Sequence, residues 1–155
     1  MKQILFFLFS SSIVILGCSS ARNVKSSAVK QGITGFVTEV RGNQMPNPDA
    51  APKSPKGIHT TVFVYEPTHI SDVTREGTSP VYTAIHTKLV ASIETDSTGG
   101  FTVALLPGAY SLFVAHGKGF YANLFDTNNH IALFVVEDDK LTQVKLTVSS
   151  RATYW

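Results

Sequence analysis

The sequence predicts an all-β fold, a seven-stranded antiparallel β-sandwich, from two observations. Apolar and polar residues alternate along seven short runs, and turn residues separate these runs. Alternation with a period of two is typical of strands that bury one face, because successive side chains point to opposite sides of a sheet. Several short alternating strands with turns between them favour a sandwich.

The runs are rich in β-branched and aromatic residues, which suit strands. In chain order they are ITGFVTEV (33–40), TTVFVYE (60–66), KLVASIETD (88–96), FTVAL (101–105), YSLFVAH (110–116), IALFVVED (131–138) and LTQVKLTVS (141–149). Within each run, the alternation places one set of residues on the same face of the strand. In chain order these sets are Ile33, Gly35 and Val37; Val62 and Val64; Leu89, Ala91 and Ile93; Phe101, Val103 and Leu105; Tyr110, Leu112 and Val114; Ile131, Leu133 and Val135; and Val144, Leu146 and Val148.

The segments between the runs contain residues that favour turns. DSTGG (96–100) supplies glycines for positive φ, and EDDK (137–140) is a polar turn. LPGAY sets Pro107 and Gly108 just before Tyr110. In sandwich folds a tyrosine after such a corner often bonds its hydroxyl to upstream main chain. Simple core burial is the alternative role for Tyr110.

A set of motifs in this region points to a family. Thr95-Asp96, Gly100-Phe101, Leu106-Pro107-Gly108, Tyr110 and Gly119-Phe120 follow the order T-D-x-x-G-x-F, L-P-P-G-x-Y and a strand ending in G-Y or G-F, and ITGFV is similar to a first strand I-x-G-x-V. On these residues the segment 32–150 resembles the carboxypeptidase regulatory-like domain. The resemblance implies a transthyretin-like, Ig-like sandwich that is usually a non-catalytic accessory or binding module.

The chain departs from that pattern at Leu106, which stands where a proline is common. Two long inserted loops are also expected, at 43–57 and 67–87. The first is rich in proline, which disfavours ladder pairing, and the second could begin with a short helix after Pro67. Transfer of a binding role across such insertions does not follow from the fold.

The N-terminal sequence predicts where in the cell the protein is located. A basic start at Lys2 precedes an apolar run from Ile4 to Leu16, which is short for a membrane span but fits a secretory signal. Ile15-Leu16-Gly17-Cys18 resembles the lipobox of bacterial lipoproteins, which implies cleavage before Cys18 and acylation of its thiol. The alternatives are an ordinary signal peptide with an incidental cysteine and an uncleaved anchor helix.

We therefore expect a signal peptide at 1–17, a flexible Ser-rich tether at 18–31 and the sandwich domain at 32–155. Cys18 is the only cysteine, so it cannot form a disulfide within the chain. Ser19 differs from the aspartate associated with inner-membrane retention, and no acidic run of the surface-export kind follows. This pattern favours an outer-membrane lipoprotein that faces the periplasm.

Composition and motifs give little support for other classes. The net charge is +2 without a clustered basic patch, so nucleic acid is not an expected partner. Five histidines are scattered without metal-ligand spacing, namely His59, His69, His86, His116 and His130. No cofactor, metal ion or catalytic residue is therefore predicted. Hydroxyisourate hydrolases share the transthyretin fold but end in Y-R-G-S, whereas this chain ends in RATYW.

One stretch, KGFYANLFDTNNH, combines clustered aromatics with polar turn residues. Such a mixture is typical of recognition surfaces, and the candidate partner contacts are Phe120, Tyr121, Asn123, Phe125, Asp126 and Asn128. The favoured alternative is that the aromatics cap the end of the sandwich with alternate side chains inward. DTNNH (126–130) has some oxygen ligands of a calcium loop, but a solvated turn is preferred because the terminal bidentate acid is missing.

These observations together predict a non-enzymatic, lipid-anchored cell-envelope protein that acts as a binding or scaffold module. Its expected partners are the membrane, through Cys18, and an unknown protein, peptide or glycan. A carbohydrate- or peptidoglycan-recognising module of an uptake system is one alternative, which needs a planar platform of exposed aromatics. A small hydrolase is the other, which needs a pocket where a histidine meets a carboxylate or serine.

Overall fold

The structure, a computed structural model, describes residues 29–43, 54–75 and 77–153. The predicted signal peptide, Cys18, most of the tether and most of the Pro-rich insertion lie outside the described residues. Within them are eleven strands and one 3₁₀ turn: β1 Gly32–Asn43, β2 Lys56–Gly57, β3 Thr61–Tyr65, the 3₁₀ turn Ile70–Asp72, β4 Val73–Arg75, β5 Val81–Ile85, β6 Leu89–Glu94, β7 Gly100–Ala104, β8 Gly108–His116, β9 Gly119–Tyr121, β10 Leu133–Val136 and β11 Leu141–Thr153. None of the described segments is a helix long and apolar enough to cross a membrane.

The strands form two sheets, which confirms the all-β sandwich. The small sheet has the order β11-β1-β2, with β7 pairing β1 beside β2. The large sheet has the order β4-β5-β9-β8-β3-β6, with β10 also pairing β8. All seven predicted runs contain a strand, and β2, β4, β5 and β9 are additional to them.

The first and last strands pair in parallel, from Gly32 opposite Leu141 onward. The sequence predicts an antiparallel fold, and this pair differs from that prediction. Every other pairing in the two sheets is antiparallel. Strand direction is decided by where the chain crosses between sheets, and a period-two pattern carries no information about that.

The main core fills the space between the two sheets. Its fully buried members include Ile33 and Val37 of β1, Val62 and Val64 of β3, and Leu112 of β8. Most of the predicted core residues of β1, β3, β7, β8 and β11 belong to it. Burial of this many apolar side chains is the main favourable term that holds the sheets together.

A second core lies on the other face of the large sheet. Phe113 alternates with Leu112 and Val114 along β8, so it points away from the main core, and yet it is 0% exposed. Tyr65 and Tyr82 pack edge-to-face on it with ring centroids 5.7 Å away in both cases. The cluster that encloses Phe113 is completed by Ala122, Ile131 and Ala132, with Ile70, Val73, Ile85 and Phe120 at its margin.

This second core corrects the expectation that 67–87 is an inserted loop. The segment contains β4 and β5, which extend the large sheet, and the 3₁₀ turn, whose Ile70 packs on the second core. The short helix expected after Pro67 is therefore present as one 3₁₀ turn. Strands β4 and β5 extend the sheet beyond β9, and β4 becomes its edge strand.

Strand β10 shows a shift in which side chains face inward. The alternation puts Leu133 and Val135 on the core face with Ile131, but Val135 is 58% exposed and Val136 is buried. Ala132 has a φ of 42°. A residue in this left-handed region breaks the extended path, so the alternation does not continue through it.

The motif residues Thr95, Asp96 and Tyr110 each make hydrogen bonds that stabilise a turn or the chain beside it. The buried hydroxyl of Thr95 accepts from the Thr60 amide and donates to the Ile58 carbonyl, at 2.8 Å in both cases. One carboxylate oxygen of Asp96 accepts from the amides of Thr98 (2.7 Å) and Gly100 (2.9 Å). The hydroxyl of half-buried Tyr110 donates to the Leu106 carbonyl at 3.0 Å, which confirms the predicted corner bond.

Candidate functional site

The two aromatic residues that begin the predicted contact segment pack inside the protein. Tyr121 is 3% exposed and belongs to the main core, where its hydroxyl meets the Ser149 hydroxyl at 2.9 Å. Phe120 points the opposite way and packs edge-to-face on Phe63, with ring centroids 5.2 Å apart. Their side chains are therefore not exposed anchors, as the alternative of an end-capping role expects.

The rest of the predicted contact segment lies at the surface. Phe125 is 47% and its neighbour Leu124 44% exposed, and Asn123 and Asn128 are also exposed. Asp126 is only partly exposed because it is the centre of the following turn. The segment thus presents a small apolar patch beside polar groups, without the side chains of Phe120 and Tyr121.

The carboxylate of Asp126 is occupied by the turn itself. One oxygen accepts from the amides of Asn128 and His130, at 2.8 Å each, and the other lies 2.9 Å from His130 Nδ1. Burial works to raise the pKa of Asp126, but these hydrogen bonds outweigh it and lower the pKa below its ordinary value. DTNNH is therefore a closed turn in which the carboxylate serves local donors.

The outer face of the small sheet carries an exposed aromatic residue that the sequence analysis did not single out. Phe36 lies in the middle of β1 and is 57% exposed. Its partners across the neighbouring strands are Gly100 of β7 and Lys145 of β11. Gly100 has no side chain, and the carboxylate of Asp96 lies where its Cβ would be.

Hydroxyl groups surround Phe36 along the same face. Thr34 and Thr38 lie two residues before and after it, so they share its side of β1. The Thr34 hydroxyl meets that of Thr102 on β7 at 2.8 Å, and the Thr38 hydroxyl meets that of Thr147 on β11 at 3.3 Å. Two open hollows, of ≈ 620 Å³ and ≈ 640 Å³, each have Phe36 in their lining. The result is a flat face with one central aromatic ring and a polar surround.

A cleft of ≈ 860 Å³ lies at one end of the sandwich. Its lining includes charged groups, among which Arg41 pairs with Glu39 at 2.7 Å. His59 lines it too, and its Nε2 lies 3.9 Å from an exposed Glu94 carboxylate oxygen.

The structure brings together histidines that are scattered in the sequence. His69 and His130 face each other across an antiparallel bridge, with ring centroids 5.8 Å apart. His130 Nδ1 lies 2.9 Å from an Asp126 carboxylate oxygen, and His69 Nδ1 lies 2.9 Å from the Ser71 hydroxyl.

Neither the Phe36 face nor the histidine pair was found from sequence. Alternation places Phe36 on the outward side of its strand, but its exposure depends on neighbouring strands that are distant in the chain. The histidines are far apart in the chain, so no spacing rule applies to them.

Comparisons with known proteins return no relatives: no family model, no curated protein and no solved structure matches this chain.

Proposed function

We propose that this protein is a non-enzymatic, lipid-anchored envelope protein whose sandwich binds a glycan chain on the Phe36 face. The anchor rests on the lipobox-like Leu16-Gly17-Cys18 at the end of a signal-like segment. The carboxypeptidase regulatory-like relationship rests on motif residues that make turn-specific bonds, namely Thr95, Asp96 and Tyr110. Both lines of support favour a tethered domain that acts by binding.

The observation that carries the glycan proposal is the exposure of Phe36 at the centre of a rigid sheet face. A sugar ring has an apolar face of C–H groups and a rim of hydroxyls. The C–H face packs well on an aromatic ring, and the hydroxyl rim forms hydrogen bonds with surrounding hydroxyl, amide and ammonium groups. Thr34, Thr38 and Thr102 supply hydroxyls here, while Lys145 supplies an ammonium group.

The shape of the face favours a chain over a small molecule. The two hollows that have Phe36 in their lining are open to solvent. Small-molecule sites are usually deeper and bury most of the ligand. In the envelope location proposed above, peptidoglycan is a polymer of the required chemistry.

The experiment measures how much of the purified full chain, in mild detergent, co-sediments with insoluble peptidoglycan. We expect Phe36→Ala to weaken binding about tenfold or more, since a central aromatic anchor is worth about 1–2 kcal/mol or more. Phe36→Tyr should retain binding because the ring is kept. The melting temperatures of both variants should stay close to that of the parent, because an exposed side chain contributes little to the core.

Phe125→Ala is the matched control, since it removes an aromatic ring of similar exposure from the segment 119–130. It should leave binding unchanged. Loss of binding with Phe125→Ala alone would overturn the Phe36 site in favour of the segment predicted from sequence. Absence of binding by the parent chain would overturn the glycan proposal and leave the lipid anchor as a separate question.

A further inference from the structure

His69 and His130 occupy a geometry in which two side chains on neighbouring strands come close together. The hydrogen bonds beside their bridge run from the Ile70 amide to the Asn129 carbonyl (3.0 Å) and from the Ile131 amide to the Thr68 carbonyl (2.8 Å). This is the pattern of a non-hydrogen-bonded antiparallel pair, in which facing side chains approach more closely than in the hydrogen-bonded kind. The two imidazoles accordingly meet with centroids 5.8 Å apart and ring planes at 83°.

Each of the two rings is held in place through its Nδ1 atom. His130 Nδ1 lies 2.9 Å from Asp126 Oδ2, and His69 Nδ1 lies 2.9 Å from the Ser71 hydroxyl. The Ser71 amide donates to His69 Nδ1 at 3.2 Å, and this bond is given up in the tautomer that carries the proton on Nδ1. In the tautomers that carry the proton on Nδ1, both Nε2 atoms have a free lone pair, and no described hydrogen bond uses either of them.

The backbone that carries the pair is itself fixed. The His69 amide donates to Asp72 Oδ2 at 3.0 Å, which closes the cap of the 3₁₀ turn. The Asp126 turn fixes the other side, with Asn129 in the left-handed region at a φ of 62°. Ile131, which follows His130 in the chain, is fully buried in the second core. Little ordering is therefore needed when an ion binds, which favours affinity.

We propose that His69 and His130 form a two-histidine chelate for a late first-row divalent ion, with Cu²⁺ preferred over Ni²⁺ and Zn²⁺. Imidazole nitrogen suits all three ions, and copper stands highest in the usual order of affinities. Two imidazoles on one ion, with metal–nitrogen bonds of about 2.0–2.1 Å, place their ring centres roughly 5 Å apart. The observed separation of 5.8 Å is within about 1 Å of this.

Asp126 is the positioning residue of this site. A carboxylate that accepts from Nδ1–H orients a ligating histidine and makes its Nε2 more basic, an arrangement common around protein-bound metals. Among the described residues no group of three or more histidine, cysteine, aspartate or glutamate side chains could hold a metal ion. The chelate therefore has two protein ligands, and water completes the coordination. Both side chains are partly exposed, so the ion and its waters have access.

The test titrates the full chain in mild detergent with Cu²⁺ alone, followed by calorimetry and by electron paramagnetic resonance. One ion per chain and hyperfine coupling from two imidazole nitrogens are expected. His69→Gln and His130→Gln should each weaken binding at least tenfold and reduce the coupling to one nitrogen, since a chelate needs both rings. His59→Gln, at an exposed histidine outside the pair, is the matched control and should change nothing.

Asp126→Asn should weaken binding about 10- to 100-fold while the two-nitrogen signal remains, as expected of a residue that acts through a ligand. Circular dichroism checks that each variant keeps its β spectrum. If a variant unfolds, the two-nitrogen signal of the parent chain alone decides the proposal. A parent signal from a single nitrogen, or single variants that each keep parental affinity, would overturn it.

Discussion

The hydroxyl of Tyr121 accepts a hydrogen bond from the amide of Ser149 at 3.1 Å and so joins the two sheets of the sandwich. Tyr121 belongs to β9 of the large sheet and Ser149 to β11 of the small sheet. Strand β11 pairs only with β1 in the sheet order of the described residues, so this amide lies on an edge. The ring fills the main core, and its polar end satisfies a backbone group that the ladder leaves free.

We predict that Tyr121→Phe destabilises the fold by about 1 kcal/mol, because the Ser149 amide then loses its acceptor. Tyr121→Ala should cost about 3–5 kcal/mol, since it also leaves a cavity in the core. Urea denaturation followed by tryptophan fluorescence or circular dichroism measures both. Phe125→Ala should change stability by less than about 0.5 kcal/mol, as expected of an exposed ring. A Tyr121→Ala variant as stable as the parent would contradict the burial described above.

We predict that Thr95 stabilises the fold through its hydroxyl more than through its methyl group. Thr95→Val keeps the shape but leaves the Thr60 amide and the Ile58 carbonyl without this partner, and it should cost about 1–3 kcal/mol. Thr95→Ser keeps the hydroxyl and should be the milder change. The same denaturation measurement ranks the two variants. A smaller loss of stability for Thr95→Val than for Thr95→Ser would contradict the hydrogen-bonding role.

We predict that the hydrogen bonds to Asp96, in the turn after Thr95, make the protein less stable in acid. The Thr98 hydroxyl, followed by the amides of Gly100 and Thr98, lowers the pKa of Asp96 below its ordinary value. A carboxyl group with a lower pKa in the folded state stabilises the fold fully above its unfolded pKa, about 3.9. That contribution is lost as the pH falls through the lower folded value.

Asp96→Asn should therefore be less stable than the parent at pH 5–7, and the difference should shrink once the pH falls below about 4. Thr98→Ala removes the largest cause of the shift, so its acid transition should begin at a higher pH than that of the parent. Denaturation midpoints measured across this range test both statements. A gap between Asp96→Asn and the parent that does not change with pH would contradict the role of the charge.

We predict that Cys18 is acylated and is the first residue of the mature protein. Cells fed a clickable palmitate analogue should label the parent chain, and Cys18→Ala should abolish the label. Stable attachment to a membrane needs more than one acyl chain, and Cys18→Ala removes the site of acylation. The variant should therefore also leave the membrane fraction. Mass spectrometry separates the alternatives: an ordinary signal peptide yields a cleaved, unlabelled chain, and an anchor helix yields an uncleaved one. Undiminished labelling of the variant would contradict the lipoprotein proposal.

Much of the candidate surface could not be obtained from sequence because exposure is a property of neighbours. Phe120 and Tyr121 look alike in the chain, and both pack inward only because the large sheet is covered on both of its faces. Phe36 looks like any outward strand residue, and only the structure shows that it is 57% exposed. Alternation tells which residues share a side of a strand, but it does not tell whether that side is covered.

The sequence by itself determined the class of fold, the strand runs and the main turns. These depend on local chemistry: period-two alternation, glycines in positive-φ positions and the Asp96 and Tyr110 side chains that bond within their own turns. The tertiary structure alone decided the parallel pairing of β1 with β11, the second core and the meeting of His69 with His130. Each of these joins segments that are distant in the chain, and such contacts depend on how the chain crosses between sheets, which no local pattern encodes.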